Sequence, residues 1–295
     1  MKKPKVQVLL SYYNGSRYID EQVKSILEQE GVDVFLMIRD DGSTKKEYQY
    51  IANRYSENVK VIRGENQGST NSFLSLIDMS DSVEYYSLSD QDDVWDSDKL
   101  EKAIDALEKY DCPALYCSNT RLVSAELEVI KIENDNPRTT LGSAIVKDYA
   151  TGCTVVFNKR LRDLLIGKRP NNIPTHDWWI NLVCLSCGGV STYDITPHMS
   201  YRQHGKNVVG APTTFLNKWS RRWNTFVGKP YQRDNMCAEL LRLYPTQISE
   251  DNKIILNIIA NYQNKKGSLL WDKSIKTGNL SVDTLFHICC LFNKI

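Results

Sequence analysis

No apolar run in this sequence approaches the length of a membrane span, and the opening Met1-Lys2-Lys3-Pro4-Lys5 lacks the apolar core of a signal peptide. The expectation is a cytoplasmic protein, soluble or peripheral on the inner face of the cell membrane. Neither sign of charge is in excess. The 37 basic side chains meet 36 acidic ones, so no global field points to nucleic acid as a partner. Cysteine is present, but without a framework. The eight thiols have no regular spacing, and Cys184-x-x-Cys187 lacks the second such pair that a four-thiolate metal site needs. Both positions fit the apolar face of a helix, which favours buried free thiols. Internal repeats and low-complexity tracts are also missing. What remains is a 295-residue chain, able to bury a full core in one large domain or two.

The strongest signal is Tyr85-Tyr86-Ser87-Leu88-Ser89-Asp90-Gln91-Asp92-Asp93-Val94-Trp95. Tyr85 to Ser89 reads as a short buried strand. Ser97 is placed to cap a helix whose apolar face is Leu100, Ile104 and Leu107. The acidic cluster therefore sits between a strand end and a helix start, where open α/β sheets bind ligands. Clustered carboxylates repel one another unless a cation shares them, and hard oxygen ligands suit Mg²⁺ or Mn²⁺. A calcium loop is excluded on backbone grounds. Asp90, Asp92, Asp96, Asp98 and Glu101 fall in an EF-hand register, but the place that demands Gly holds Trp95.

The same layout recurs along the chain. Val6 to Ser11 is a buried strand broken by Tyr12-Tyr13-Asn14-Gly15, and Ile19, Val23, Ile26 and Leu27 form one helical stripe. Val34 to Ile38 runs into Arg39-Asp40-Asp41-Gly42-Ser43. Val59 to Ile62 runs into Gly64-Glu65-Asn66-Gln67-Gly68-Ser69-Thr70-Asn71. Right-handed β-α-β crossovers would gather these polar strand ends on one edge. Ala114 to Ser118 is a further strand, Ala125 to Thr140 a mobile loop, and Cys153 to Phe157 a strand with Asn158 capping the next helix. Thr175 is expected to cap a helix that carries Asp177, Trp178 and Trp179 and ends at Gly188-Gly189. Beyond about Asn207 helical patterns dominate, and Lys218 to Trp223 interleaves basic and indole side chains within a basic-aromatic stretch that runs to Arg233.

These pieces suit a ligand with a base, a pyrophosphate and a group to transfer. Asp90, Asp92 and Asp93 can hold a divalent cation that neutralises a departing nucleotide diphosphate. Asp177 supplies a carboxylate able to deprotonate an acceptor hydroxyl; the helix start would lower its pKa and the neighbouring indoles would raise it. His204 is either a further metal ligand or phosphate partner, or an ordinary hydrogen-bonded histidine, and Arg202 can pair with phosphate oxygens. Trp178 and Trp179 serve equally as core or as a stacking surface for a sugar. His198 and His287 read as structural.

Val8-Leu9-Leu10-Ser11-Tyr12-Tyr13-Asn14-Gly15, Arg39 to Ser43, Asn66-Gln67-Gly68, Ser89 to Trp95, His176 to Trp179 and Tyr201 to Gly205 follow one another in a familiar order. In these motifs, residues 5 to roughly 210 resemble family 2 glycosyltransferases of the GT-A fold, a Rossmann-like nucleotide-diphospho-sugar transferase fold, and within them a bacterial rhamnosyltransferase-like group. The resemblance implies an inverting, single-displacement transfer from a nucleotide-activated sugar. It matches Asp92 to the metal-binding end of a D-x-D motif, with Asp90 near the ribose or metal, and Asp177 to the base. It places Tyr12, Asn14, Asp41 and Asn71 along the nucleotide pocket. The Gln-x-x-Arg-Trp motif of processive members is absent, which argues for adding one sugar. By analogy the donor is dTDP-L-rhamnose and the acceptor a lipid-linked saccharide of a bacterial surface polysaccharide. The alternatives are a UDP-hexose donor, a non-catalytic sugar-nucleotide-binding protein and, more distantly, a nucleotidyltransferase. The expected organisation is a GT-A domain over 1–207 and a helical subdomain over 208–295. Lys218 to Arg233, and more weakly Leu285 to Ile295, are either solvated faces or patches for anionic lipid.

Overall fold

The computed structural model describes residues 2–55, 59–171, 173–204, 233–264, 267 and 274–293. The first apolar run forms β1 (Lys5–Tyr12), buried along most of its length as a central parallel strand must be. Helix α1 (Ile19–Leu27) turns Ile19, Val23 and Ile26 inward and leaves Leu27 exposed. Then follow β2 (Asp33–Asp41), α2 (Lys45–Arg54), β3 (Val59–Gly64), α3 (Gly68–Met79) and β4 (Tyr85–Ser89). These four strands are parallel in the order β4-β1-β2-β3. Their carboxyl ends therefore meet at one edge, and the polar loops read from the sequence meet there too.

The chain then makes β5 (Val94–Trp95), α4 (Lys99–Leu107), β6 (Ala114–Ser118), β7 (Arg121–Val123), β8 (Val129–Ile132) and α5 (Leu141–Val146). After a 3-10 turn at Gly152–Thr154 come β9 (Val156–Asn158), α6 (Lys159–Leu165), α7 (His176–Ser186), β10 (Val190–Asp194) and β11 (Met199–Arg202). The main sheet has the order β10-β6-β9-β4-β1-β2-β3, with β9 antiparallel to both its neighbours. Because β9 is reversed, its beginning lies at the ligand edge, and so does the 3-10 turn before it. A second sheet, β5-β11-β7-β8, stands beside that edge.

Each face of the main sheet carries its own apolar layer. One joins Val8, Leu10 and Ile38 to Val23, Ile51 and Leu100 of α1, α2 and α4. The other joins Leu9 and Leu88 to Phe73, Ile145, Leu161 and Trp179 of α3, α5, α6 and α7. Helices α8 (Arg233–Leu243), α9 (Glu250–Ala260) and α10 (Leu280–Leu291) belong to this second layer through Leu240, Leu256 and Phe286. Among the described residues no helix is long and apolar enough to cross a membrane.

Several local expectations change. The loop expected over Ala125 to Thr140 contains β8, an edge strand paired with β7. Cys153 lies in the 3-10 turn, and the strand begins only at Val156. Ser97 does not cap α4: Asp98 is the boundary residue and no side chain bonds there. Thr175 makes no cap bond to α7 either, whereas Asn158 accepts from Leu161 N at 3.1 Å as expected. Trp178 and Trp179 are both core residues, with Trp178 Nε1 donating to Ala144 O at 2.6 Å. All eight cysteines are free thiols. The boundary near Asn207 and most of Lys218 to Arg233 lie outside the described residues. Arg233 itself is buried, and its guanidinium donates twice to Val146 O.

Candidate active site

The acidic loop leaves β4 and is held on every side. Gln91 latches it to the loop after β1: its Oε1 accepts from Tyr13 N at 2.8 Å and its Nε2 donates to Tyr13 O at 3.2 Å. Gly15 makes room for this latch, since a Cβ there would sit 2.3 Å from the Gln91 carboxamide. Asp93 is fully buried and accepts from Arg202 N at 3.1 Å. The Arg202 side chain donates from Nε to Asp92 O at 2.8 Å and also engages Glu21, Ala125 O and the Tyr18 ring. Its guanidinium thus clamps the loop to α1 and the β7–β8 turn.

Asp92 points back toward β11, where its Oδ2 lies 2.7 Å from His204 Nε2. The His204 ring stacks on Tyr18, with centroids 5.0 Å apart. Asp92 and His204 would be the residues to share a divalent cation here, which would offset negative charge beside them. Asp90 is linked to this pair by charge, while its own ligand atoms cluster with Asp93 and Cys153 and not with His204 among the described residues. Burial and the charges of Asp92 and Asp177 push its carboxyl from 3.8 up to about 7. Burial, Asp92 and Asp90 likewise push Asp93 well up, and one of its oxygens has no partner among the described residues. Asp90, Asp93 and Cys153 offer ligand atoms within 4.8 Å of one another. Burial holds the Cys153 thiol well above its usual range, and two carboxylates stand beside it. The donor set is therefore carboxylate-rich, as Mg²⁺ or Mn²⁺ prefers.

A raised Asp90 predicts a pH dependence. Without a cation the folded protein keeps a proton on Asp90 that the unfolded chain has lost, in the window from about pH 4 to 7. Stability therefore falls as pH rises through that window. A divalent cation bound there would take the proton's place, and below pH 7 its apparent affinity should drop by up to about tenfold per pH unit. The gain in Tm on adding Mn²⁺ should be small at pH 5.5 and large at pH 8. Equal gains at both would remove Asp90 from the cation site.

Asp177 enters from the other half of the fold, in the first turn of α7. Its Oδ2 accepts from Gly152 N at 2.9 Å, and its Oδ1 accepts from Trp178 N at 2.9 Å. Gly152 must be small here, because a Cβ would lie 3.0 Å from His176 Nε2 and 3.2 Å from Asp177 Oδ2. His176 stacks on Phe73 of α3 with centroids 4.0 Å apart, fixing the start of α7; burial lowers its pKa, so the ring is neutral. The Asp177 charge reaches both Asp90 and Asp148, and it adds to the burial that pushes Asp148 well up. The base candidate and the metal candidates thus share one electrostatic field, though they lie in different halves of the sequence.

The four residues expected along the nucleotide pocket gather at the ends of β1, β2 and α3. Tyr12 is buried and donates its hydroxyl to Glu47 at 2.6 Å. Asn14 has a positive φ of 47° and accepts from Thr44 N at 3.1 Å. Asp41 pairs with Arg39 and accepts from Gln67 N at 3.1 Å and Gly68 N at 3.0 Å, tying β2 to the start of α3. Asn71 stands exposed on α3 and donates to Gln67 O. Sequence reading missed Gln91, Glu47, Gly152, Asp148 and Lys99. The last is wholly buried beside the acidic loop, with Nζ 3.3 Å from the centre of the Trp95 ring; burial lowers its pKa to about 7. His198 is structural as expected, lying 3.1 Å from Asp98 and 3.4 Å from Asp194.

Known proteins are similar to this chain in sequence and in fold. The sequence profile described as "Glycosyl transferase family 2" matches residues 7–164. The chain is 30% identical to dTDP-rhamnosyl transferase RfbG of Shigella flexneri over 228 residues, which is 72% of this chain and 77% of that protein. Among solved structures it is similar to Staphylococcus aureus TarS 1-349 in complex with UDP-GlcNAc (TM-score 0.51, 17% identity, 95% of this chain and 83% of that one). It is also similar to the mannosyltransferase PcManGT from Pyrobaculum calidifontis in complex with GDP-Man and Mn²⁺ (TM-score 0.52, 14% identity, 100% and 89%). These likenesses identify the GT-A fold.

Proposed function

This chain belongs to glycosyltransferase family 2, and from that premise we propose that it moves one sugar from a nucleotide diphosphate to a saccharide acceptor with inversion. The observation that carries the reading is the Asp177 carboxylate, fixed by two backbone N–H groups within the electrostatic reach of Asp90. In this reaction Asp177 takes the proton of an acceptor hydroxyl as its oxygen attacks the anomeric carbon. The bond from that carbon to the phosphate oxygen breaks, and its electron pair leaves with the diphosphate. A divalent cation, Mn²⁺ or Mg²⁺, would offset the charge on the leaving group. Asp92, Asp90 and His204 are the residues to hold it. Tyr12, Asn14, Asp41 and Asn71 shape the nucleotide pocket, and Arg202 acts by clamping the loop that carries Asp92.

For the donor we favour dTDP-L-rhamnose, a reading supported by the likeness to RfbG. A UDP-hexose is the second reading, prompted by the UDP-GlcNAc held by TarS. The acceptor in this proposal is a lipid-linked saccharide of a bacterial surface polysaccharide, with residues 1–207 as the catalytic part and 208–295 as a helical part that meets the membrane surface. Calorimetry with dTDP-rhamnose, UDP-glucose, UDP-galactose and UDP-N-acetyl sugars, with and without Mn²⁺, tests the donor. We expect metal-dependent binding of dTDP-rhamnose and at least tenfold weaker binding of the others, about 1.4 kcal/mol. Preference for a UDP sugar would replace rhamnose in this reading.

A further inference from the structure

Strand β8 is the outer strand of the second sheet, and it exposes apolar side chains on both of its faces. Val129, Ile130 and Ile132 are 60%, 59% and 55% exposed, although β-branched residues on an edge are an invitation to pair. Nothing in the catalytic reading uses them. The backbone of this edge is also available. Glu133 N donates to Thr120 O, so in the antiparallel ladder with β7 the pair Leu122–Lys131 bonds inward as well. The N–H and C=O of Ile132, between them, then point outward.

Charge decides what such an edge can accept. Lys131 and Glu133, the residue just past the end of β8, lie 4.0 Å apart and partly exposed; Glu133 Oε2 also accepts from Thr120 Oγ1 at 3.0 Å, which leaves Oε1 facing Lys131. Two copies related by a two-fold axis normal to the sheet pair antiparallel with same-face residues opposed, so the axis must pass through one residue. An axis at Lys131 sets that lysine against itself, which is repulsive. At Ile130 it opposes Val129 to Lys131 and Glu128 to Ile132, and no charge is matched. At Ile132 it lets the two outward-facing backbones bond to each other. It also sets Lys131 opposite the partner's Glu133, twice over.

We propose that β8 is a homodimer edge, pairing antiparallel with β8 of a second copy about Ile132 and held in register by reciprocal Lys131–Glu133 pairs. The two second sheets then become one continuous eight-stranded sheet. A strand this short buries less than a standard interface, so the dimer is concentration-dependent.

Sedimentation equilibrium on the full chain from about 5 to 200 μM tests this, a range set by the weak end of such interfaces. Wild type should shift from monomer toward dimer across the range. Lys131→Glu and Glu133→Lys should each be monomeric, because each faces like charges across the axis. An equimolar mixture of the two should dimerise, since both cross-strand pairs are then of opposite sign. Unchanged thermal unfolding of each variant checks that the exposed edge alone was altered. A wild type that stays monomeric, single variants that dimerise like wild type, or folded variants that stay monomeric on mixing would each overturn the proposal.

Discussion

Asp177→Asn should abolish transfer, by about a thousandfold, while donor affinity stays within a few-fold of wild type. The carboxamide is nearly isosteric and can still accept one hydrogen bond, from Gly152 N or from Trp178 N. It cannot take up the acceptor's proton. The loss should appear in kcat at saturating acceptor, with calorimetric donor binding and thermal unfolding as companion readings. The substitution also removes a negative charge that raises Asp90 and Asp148, so cation binding should weaken little or even tighten slightly at neutral pH as Asp90 ionises more readily. Donor binding lost in step with turnover would place Asp177 in the donor site instead.

Asp92→Ala should act on the other substrate. It removes the oxygen proposed as a cation ligand and leaves His204 without the carboxylate that lies 2.7 Å from its Nε2. Donor affinity in Mn²⁺ should fall by about a hundredfold, near 2.7 kcal/mol, and approach the metal-free affinity of the wild type. The fold should survive, because the bonds pinning the loop use the Asp92 carbonyl, the Asp93 carboxylate and Gln91, none of which the substitution removes. Titrating Mn²⁺ at fixed donor distinguishes the outcomes. A variant whose Mn²⁺ dependence matches wild type would take Asp92 out of the cation site.

The acids that define the site were legible because each follows an apolar run that forms a parallel strand, and parallel strands deliver their loops to one edge. Asp90, Asp92 and Asp41 could be placed that way without any contact being known. The supports were not legible, because they depend on pairs far apart in sequence. Gln91 reads as a spacer between two aspartates until the fold brings it against Tyr13, and Gly15 as a simple strand breaker until that carboxamide lies over it. Arg202 reads as a candidate phosphate partner, and its structural contacts are invisible in the sequence. Only the packing of α1 against β11 shows it bonded to Glu21. Strand β8 escaped notice because its polar flanks resemble a loop and its apolar residues do not alternate with polar ones over a length that would reveal a period. Trp178 and Trp179 could not be assigned from sequence because the same side chain serves as core or as a platform for a sugar. Their burial in α7 decides for core.

The reversed strand β9 has a consequence for how the protein comes into being. Strands β4 and β6 flank it, yet they precede it by long stretches of chain, and neither can complete its ladder until β9 has been made and inserted between them. The parallel unit β3-β2-β1-β4 depends on no residue beyond Ser89 for its pairing. During synthesis it can close first, bringing the loops after β1, β2, β3 and β4 together while Asp177 is still unmade. The late, non-local insertion is the slow kind of step in folding, because loop closure must precede the contacts that reward it. Until it occurs, the free flank of β4 is an open template for the wrong strand. Asp177, Arg202 and His204 all follow β9 in the chain, so the candidate site is completed only after that insertion.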